Sequence, residues 1–163
     1  MRFRTFLVLL AAAALPTVAA AQTKIAGSEH CGAPDPMTRI EVGDKAGHAL
    51  LIAKTVCTWS KAIEIAGGQT KEGINVEAGE MTGDKSTANG YHTGTMTTGD
   101  KYYVRYRGTS TWKDGKLVSA QGTWNFTGGT GKLKGIQGKG TYKLTPNADG
   151  SSTGQVDGEY KLP

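Results

Sequence analysis

Hydrophobic and polar residues alternate with a period of two along the C-terminal half of the chain. Across 101–112, Tyr102, Val104 and Tyr106 share one face, and Lys101, Tyr103, Arg105 and Arg107 share the other. Across 118–127, Gly122, Trp124 and Phe126 oppose Thr123, Asn125 and Thr127. Across 136–145, Ile136, Gly138, Gly140, Tyr142 and Leu144 oppose Gln137, Lys139, Thr141 and Lys143. Across 154–162, Val156, Gly158, Tyr160 and Leu162 oppose Gln155, Asp157, Glu159 and Lys161. One apolar and one polar face per segment marks antiparallel strands with one side buried. Four earlier segments, 37–42, 48–59, 73–82 and 89–98, have strand composition but a less even pattern. In 48–59 both faces are apolar: His48, Leu50, Ile52 and Val56 on one, Ala49, Leu51, Ala53 and Cys57 on the other. Such a strand is expected to be buried on both sides. Its outer face would be covered by a second subunit, giving a homo-oligomer, or by the N-terminal segment.

Turn chemistry separates these segments. Gly-Asp-Lys occurs at Gly43, Gly83 and Gly99, and Asp114-Gly115 and Asn147–Gly150 add two more turn signals. Asp and Asn bond their own backbone and Gly supplies positive φ, so these sites predict hairpins. None ends in the Glu that a calcium loop requires. Eight strands, short turns and no long helical pattern predict an all-β domain, an eight-stranded antiparallel barrel. Glycines on the apolar faces favour a barrel over a sandwich, because strand glycine marks bends and close approaches.

Composition changes this picture mainly at the N-terminus. The chain has 163 residues, the size of one domain. Met1 to Ala21 reads as a signal peptide: Arg2 and Arg4, the apolar run Phe6–Leu15, then Ala19–Ala21. The apolar run is too short for a membrane span. Cleavage near Ala21 predicts a periplasmic or secreted location. It leaves 22–35 as an irregular segment and 36–163 as the barrel. Loss of Arg2 and Arg4 takes the net charge from +5 to +3. With its lysines dispersed, such a chain is not expected to bind nucleic acid. An oxidising compartment predicts a disulfide between Cys31 and Cys57. No Cys-x-x-Cys or second His-Cys cluster is present, so no metal site is expected.

Gly128-Gly129-Thr130-Gly131-Lys132-Leu133-Lys134-Gly135-Ile136-Gln137-Gly138 is the most distinctive stretch. It lacks the Lys-Ser/Thr ending of a phosphate loop, and its third glycine falls one position late for a dinucleotide fingerprint. It resembles the Gly-Gly-small-Gly-x-apolar-x-Gly-x-x-Gly segment of allene oxide cyclases and dirigent proteins. The likeness covers Gly122 to Tyr142. Gly43–His48 and the closing Gly158–Tyr160 are similar to exported bacterial proteins of unassigned role with the same barrel. The resemblance implies a calycin-like, allene oxide cyclase-type barrel holding a small apolar or phenolic molecule, without turnover and without a cofactor. The alternatives are an isomerase or cyclase using the same cavity, and a structural envelope protein with a filled core.

The resemblance carries over no catalytic residue. The residues themselves suggest His48, Glu80 and His92, if their strand faces point inward; burial would then tune them for proton transfer. The expected cavity wall is Tyr102, Val104, Tyr106, Trp124, Phe126, Tyr142, Leu144 and Tyr160.

Overall fold

Residues 22–163 are described by a computed structural model; the expected signal peptide lies outside them. The strands are β1 Thr23–Cys31, β2 Met37–Glu41, β3 His48–Lys61, β4 Glu64–Ile65, β5 Gly68–Thr82, β6 Lys85–Met96, β7 Lys101–Lys113, β8 Lys116–Gly129, β9 Gln137–Pro146 and β10 Ser152–Lys161. Eight of them close an antiparallel barrel in the order β1–β3–β5–β6–β7–β8–β9–β10 and back to β1. The expected architecture is therefore present, but its membership differs in two places.

The first correction concerns 22–35. Thr23–Cys31, expected to be irregular, is a full barrel strand hydrogen-bonded to both β10 and β3. Its inward side is Ile25, Gly27, Glu29 and Cys31. A glycine and a carboxylate on the buried face erase the apolar alternation that reveals the later strands. The second correction concerns 37–42. Met37–Glu41 pairs only with the Ala49–Ala53 half of β3 and stands outside the ring, exposed throughout.

The expected disulfide is present. Cys31 and Cys57 face each other across the β1–β3 ladder and are bonded. Closing this loop stabilises the fold by about 3 kcal/mol in the chain-entropy account.

One end of the barrel is plugged. Ile63, Ile65, Met96, Leu133 and Ile136 are buried there, packed with Ile25 and Tyr102. The glycine-rich stretch contributes Leu133 and Ile136 to this plug: a single 3-10 turn, Gly131–Leu133, drives Leu133 inward. The other end is ringed by the β7–β8 turn, the β9–β10 turn and the Gly32–Pro34 segment. Between the ends, inward rings lie flat on the wall over glycines of adjacent strands. Tyr102 covers Gly94, and Trp124 covers Gly140 and Gly158; a Cβ at Gly94 would collide with the Tyr102 ring. Glycine thus lets large aromatics hug the wall rather than fill the lumen.

Candidate ligand site in the barrel interior

The lumen holds a cavity of about 750 Å³, within the range of small-molecule sites. Of the expected wall, Tyr102, Val104, Tyr106, Trp124, Phe126, Tyr142 and Leu144 line it. Tyr160 does not; it packs behind them against the core. The aromatics pack edge to face: Tyr102 on Phe126, Trp124 on Phe126 and Tyr106 on Tyr142. These contacts lock ring positions and give the cavity a firm apolar wall.

His92 faces inward and is 8% exposed. Both its nitrogens are taken: Nδ1 by Asn75 Oδ1 at 2.8 Å and Nε2 by the Tyr102 hydroxyl at 3.2 Å. The Asn75 amide nitrogen meanwhile donates to Cys57 Sγ at 3.3 Å. That leaves Asn75 Oδ1 as acceptor, so His92 Nδ1 carries the proton and Nε2 accepts from Tyr102. Trp59 Nε1 donates to the same Tyr102 oxygen at 3.1 Å. Burial holds the His92 pKa down to about 4, so the ring is neutral. His92 is a braced strut in a four-residue network.

His48 and Glu80 lie on the outer surface, together. His48 Nε2 is 2.8 Å from Glu80 Oε1, and its Nδ1 bonds Asp44. The hydrogen bonds to Asp44 and then Glu80 raise the His48 pKa. Their placement follows from β3 and β5, on which the apolar face that carries His48 and Glu80 points outward. The inward residues of β3 are Ala49, Leu51, Ala53, Thr55, Cys57 and Trp59. Those of β5 are Gly73, Asn75, Glu77, Gly79 and Met81, leaving Ile74, Val76, Ala78 and Glu80 outside.

Two interior carboxylates escaped the sequence. Glu77 Oε2 accepts a hydrogen bond from the Tyr106 hydroxyl at 3.0 Å. Burial raises the Glu77 pKa, and the Tyr106 bond partly offsets that rise. Glu29 is 8% exposed and lines the cavity. It makes no hydrogen bond or ion pair with any described residue, yet no sealed polar atom lacks a partner among them; its carboxylate therefore opens onto the cavity. Burial pushes its pKa up to about 7. Glu29 sits where the β1–β3 register shifts, between Ser28 and Glu29. Bulges of this kind re-aim side chains beside functional sites. A bulge beside an inward acid was the available signal, but Ser-Glu-His carries no pattern that announces it.

Glu29 also lies within 4.8 Å of both disulfide sulfurs. Sulfurs bonded to each other offer no thiolate, so these three residues do not form a metal-binding set.

No known family profile matches the chain, and no curated protein does. Among solved structures it is similar to a pterocarpan synthase dirigent protein, GePTS1, at 14% identity with a TM-score of 0.51. The match covers 91% of this chain and 89% of that one. At this identity the likeness concerns the fold, and the fold is a dirigent-like barrel.

Proposed function

We propose that this chain is an exported binding barrel that takes a small apolar or phenolic molecule into its interior without turnover. The observation that carries this is the glycine-backed aromatic wall, which leaves about 750 Å³ unfilled around oriented polar groups. A structural protein would gain stability by filling that space, since unfilled core volume costs free energy. The fold shared with a dirigent protein agrees with a phenolic guest. The leader pattern of 1–21 and the disulfide agree with a periplasmic or secreted location. No helix among the described residues is long and apolar enough to cross a membrane.

One observation favours a second reading, an isomerase or cyclase in the same cavity. Glu29 is an unpaired interior acid whose pKa of about 7 suits proton transfer at neutral pH. Self-association is the remaining proposal. Leu50, Ile52, Val56, Ile74 and Val76 form a connected exposed apolar face across β3 and β5, and a second copy of the chain would cover it.

The test is native mass spectrometry of protein purified from its own host, followed by solvent extraction. A stoichiometric apolar or phenolic molecule, displaced by bulk added to the lumen at the lining residue Ala53 (Ala53→Phe), supports interior binding. Absence of any guest, together with failure of naphthol to quench the cavity tryptophans, overturns it.

A further inference from the structure

The polar groups of the cavity wall are not evenly satisfied. Trp59, Tyr102, His92 and Asn75 consume one another's hydrogen-bonding capacity. Trp124 Nε1 donates to the Thr141 carbonyl at 3.2 Å, and Trp112 Nε1 to Ser86 Oγ at 2.8 Å. Tyr106 donates to one oxygen of Glu77. What remains without a side-chain partner along the lumen is the hydroxyls of Tyr142, Thr55, Ser110 and Ser152, the second Glu77 oxygen and both oxygens of Glu29. The charged part of this unmet capacity is carboxylate, which only accepts when ionised.

The charge balance points the same way. Glu29 and Glu77 line the interior, and the fields of both reach the Tyr106 hydroxyl. Lys116 is the one Lys or Arg among the lining residues; it is exposed, in the turn at the open end. His92 is neutral. An ionised Glu29 thus has no cation to pair with, although a carboxylate out of water needs a partner. Trp59, Trp124, Tyr106 and Phe126 line the same cavity, and aromatic faces attract an organic cation through their quadrupoles.

We infer that the interior site takes an organic amine, an aromatic or alicyclic body carrying a protonated nitrogen, with Glu29 as its counter-ion. The inference rests on the interior binding proposed above and names the head group of the guest. The body occupies the aromatic wall, as an apolar or phenolic guest would. The ammonium sits against Glu29, with the free oxygen of Glu77 as a second acceptor. A neutral phenol of the same size fills the same wall but leaves the ionised Glu29 unmet.

The experiment compares three probes on one skeleton: naphthylethylamine, naphthylethanol and naphthylacetate. Each is titrated by calorimetry into the mature protein near pH 8, with tryptophan fluorescence as a second readout. The amine is expected to bind about tenfold more tightly than the alcohol, as a charge-assisted hydrogen bond allows, and the acetate most weakly. Glu29→Gln is expected to erase the amine's advantage while the alcohol still binds, which also shows that the variant is folded. Glu77→Gln is expected to reduce the advantage by a smaller factor. Equal binding of amine and alcohol, or a preference for the amine that survives Glu29→Gln, overturns the inference and leaves interior binding standing. Failure of all three probes to bind overturns both.

Discussion

The two walls of this barrel are built on opposite plans. In β7 to β10 the inward residues are mostly aromatic, aliphatic or glycine, with Ser110 and Ser152 the polar exceptions, and the outward ones are mostly polar, among them Arg105, Arg107 and Lys139. In β1, β3 and β5 the plan is partly inverted. Glu29, Asn75 and Glu77 face in, while Leu50, Ile52, Val56, Ile74 and Val76 face out. Both walls alternate with a period of two, because every strand does. The difference teaches that alternation reports that a segment is a strand without reporting which face is inside. The usual assumption, apolar inward, holds for the first wall. It fails for the second, where acids line the cavity and the surface carries an apolar face.

The largest expected effect tests what ties the inverted wall together. Replacing Cys31 and Cys57 by Ser is expected to cost about 3 kcal/mol, read as a lower midpoint in urea unfolding. An unchanged midpoint would show that β1 is held by its ladders alone.

Next is the interior acid. Burial raises Glu29 from its ordinary 4.5 to about 7, so the folded state keeps a proton that the unfolded chain has lost. The Glu29 contribution to stability therefore falls as pH climbs between those values and levels off above them. By itself it makes the ligand-free protein less stable near pH 8 than near pH 5 by ~2–3 kcal/mol, while His92, kept neutral by burial, contributes a rise of comparable size between about pH 4 and its ordinary 6.5. The native chain is thus expected to show a nearly flat profile, and Glu29→Gln to become more stable at pH 8 than at pH 5 as the His92 contribution is unmasked, with Glu77 leaving a smaller fall of the Glu29 sign. Urea titrations at the two pH values check it, and an equal slope in both proteins would place Glu29 in water.

At the border of the regular wall, Gly94→Ala on β6 puts a Cβ into the ring of Tyr102 on β7. Overpacking of this kind is expected to cost about 2 kcal/mol and to disturb the His92–Tyr102–Trp59 network, visible in near-ultraviolet circular dichroism. A neutral outcome would mean that the ring has room to move into the lumen.

The smallest effects belong to the outer face of the inverted wall. Ile52→Lys and Glu80→Gln are each expected to change the stability of a monomer by less than ~0.5 kcal/mol, as exposed substitutions do. If the apolar face joins two copies, Ile52→Lys lowers the sedimentation coefficient whereas Glu80→Gln leaves it alone. Identical sedimentation of all three proteins would leave the face uncovered.

Legibility in the sequence followed these two plans. Strands β7 to β10 and their inward rings could be read directly, since burial there coincides with apolarity. Strand β1 could not, because Gly27 and Glu29 occupy inward positions and break the hydrophobic period. The residue that hid the strand is also the residue most central to the candidate site. Placing functional polar groups in a core violates the local rules by which cores are recognised. Of the three candidate catalytic residues, His92 was placed on the correct face. His48 and Glu80 share faces with apolar neighbours, and on that wall the apolar face points outward.

By itself the sequence determined the strand character, the turn positions, the pairing of its two cysteines and the aromatic lining of one wall. Each of these depends on local periodicity, on glycine and Asx chemistry, or on there being only one partner to choose. Only the tertiary structure decided that Thr23–Cys31 closes the ring, that β2 stands outside it, and that Glu29 and Glu77 share one lumen with His92. Those facts depend on which strand lies beside which and on which face turns inward. Both are set by the closure of the whole barrel, because a strand of period two fits a sheet equally well either way round until its neighbours choose.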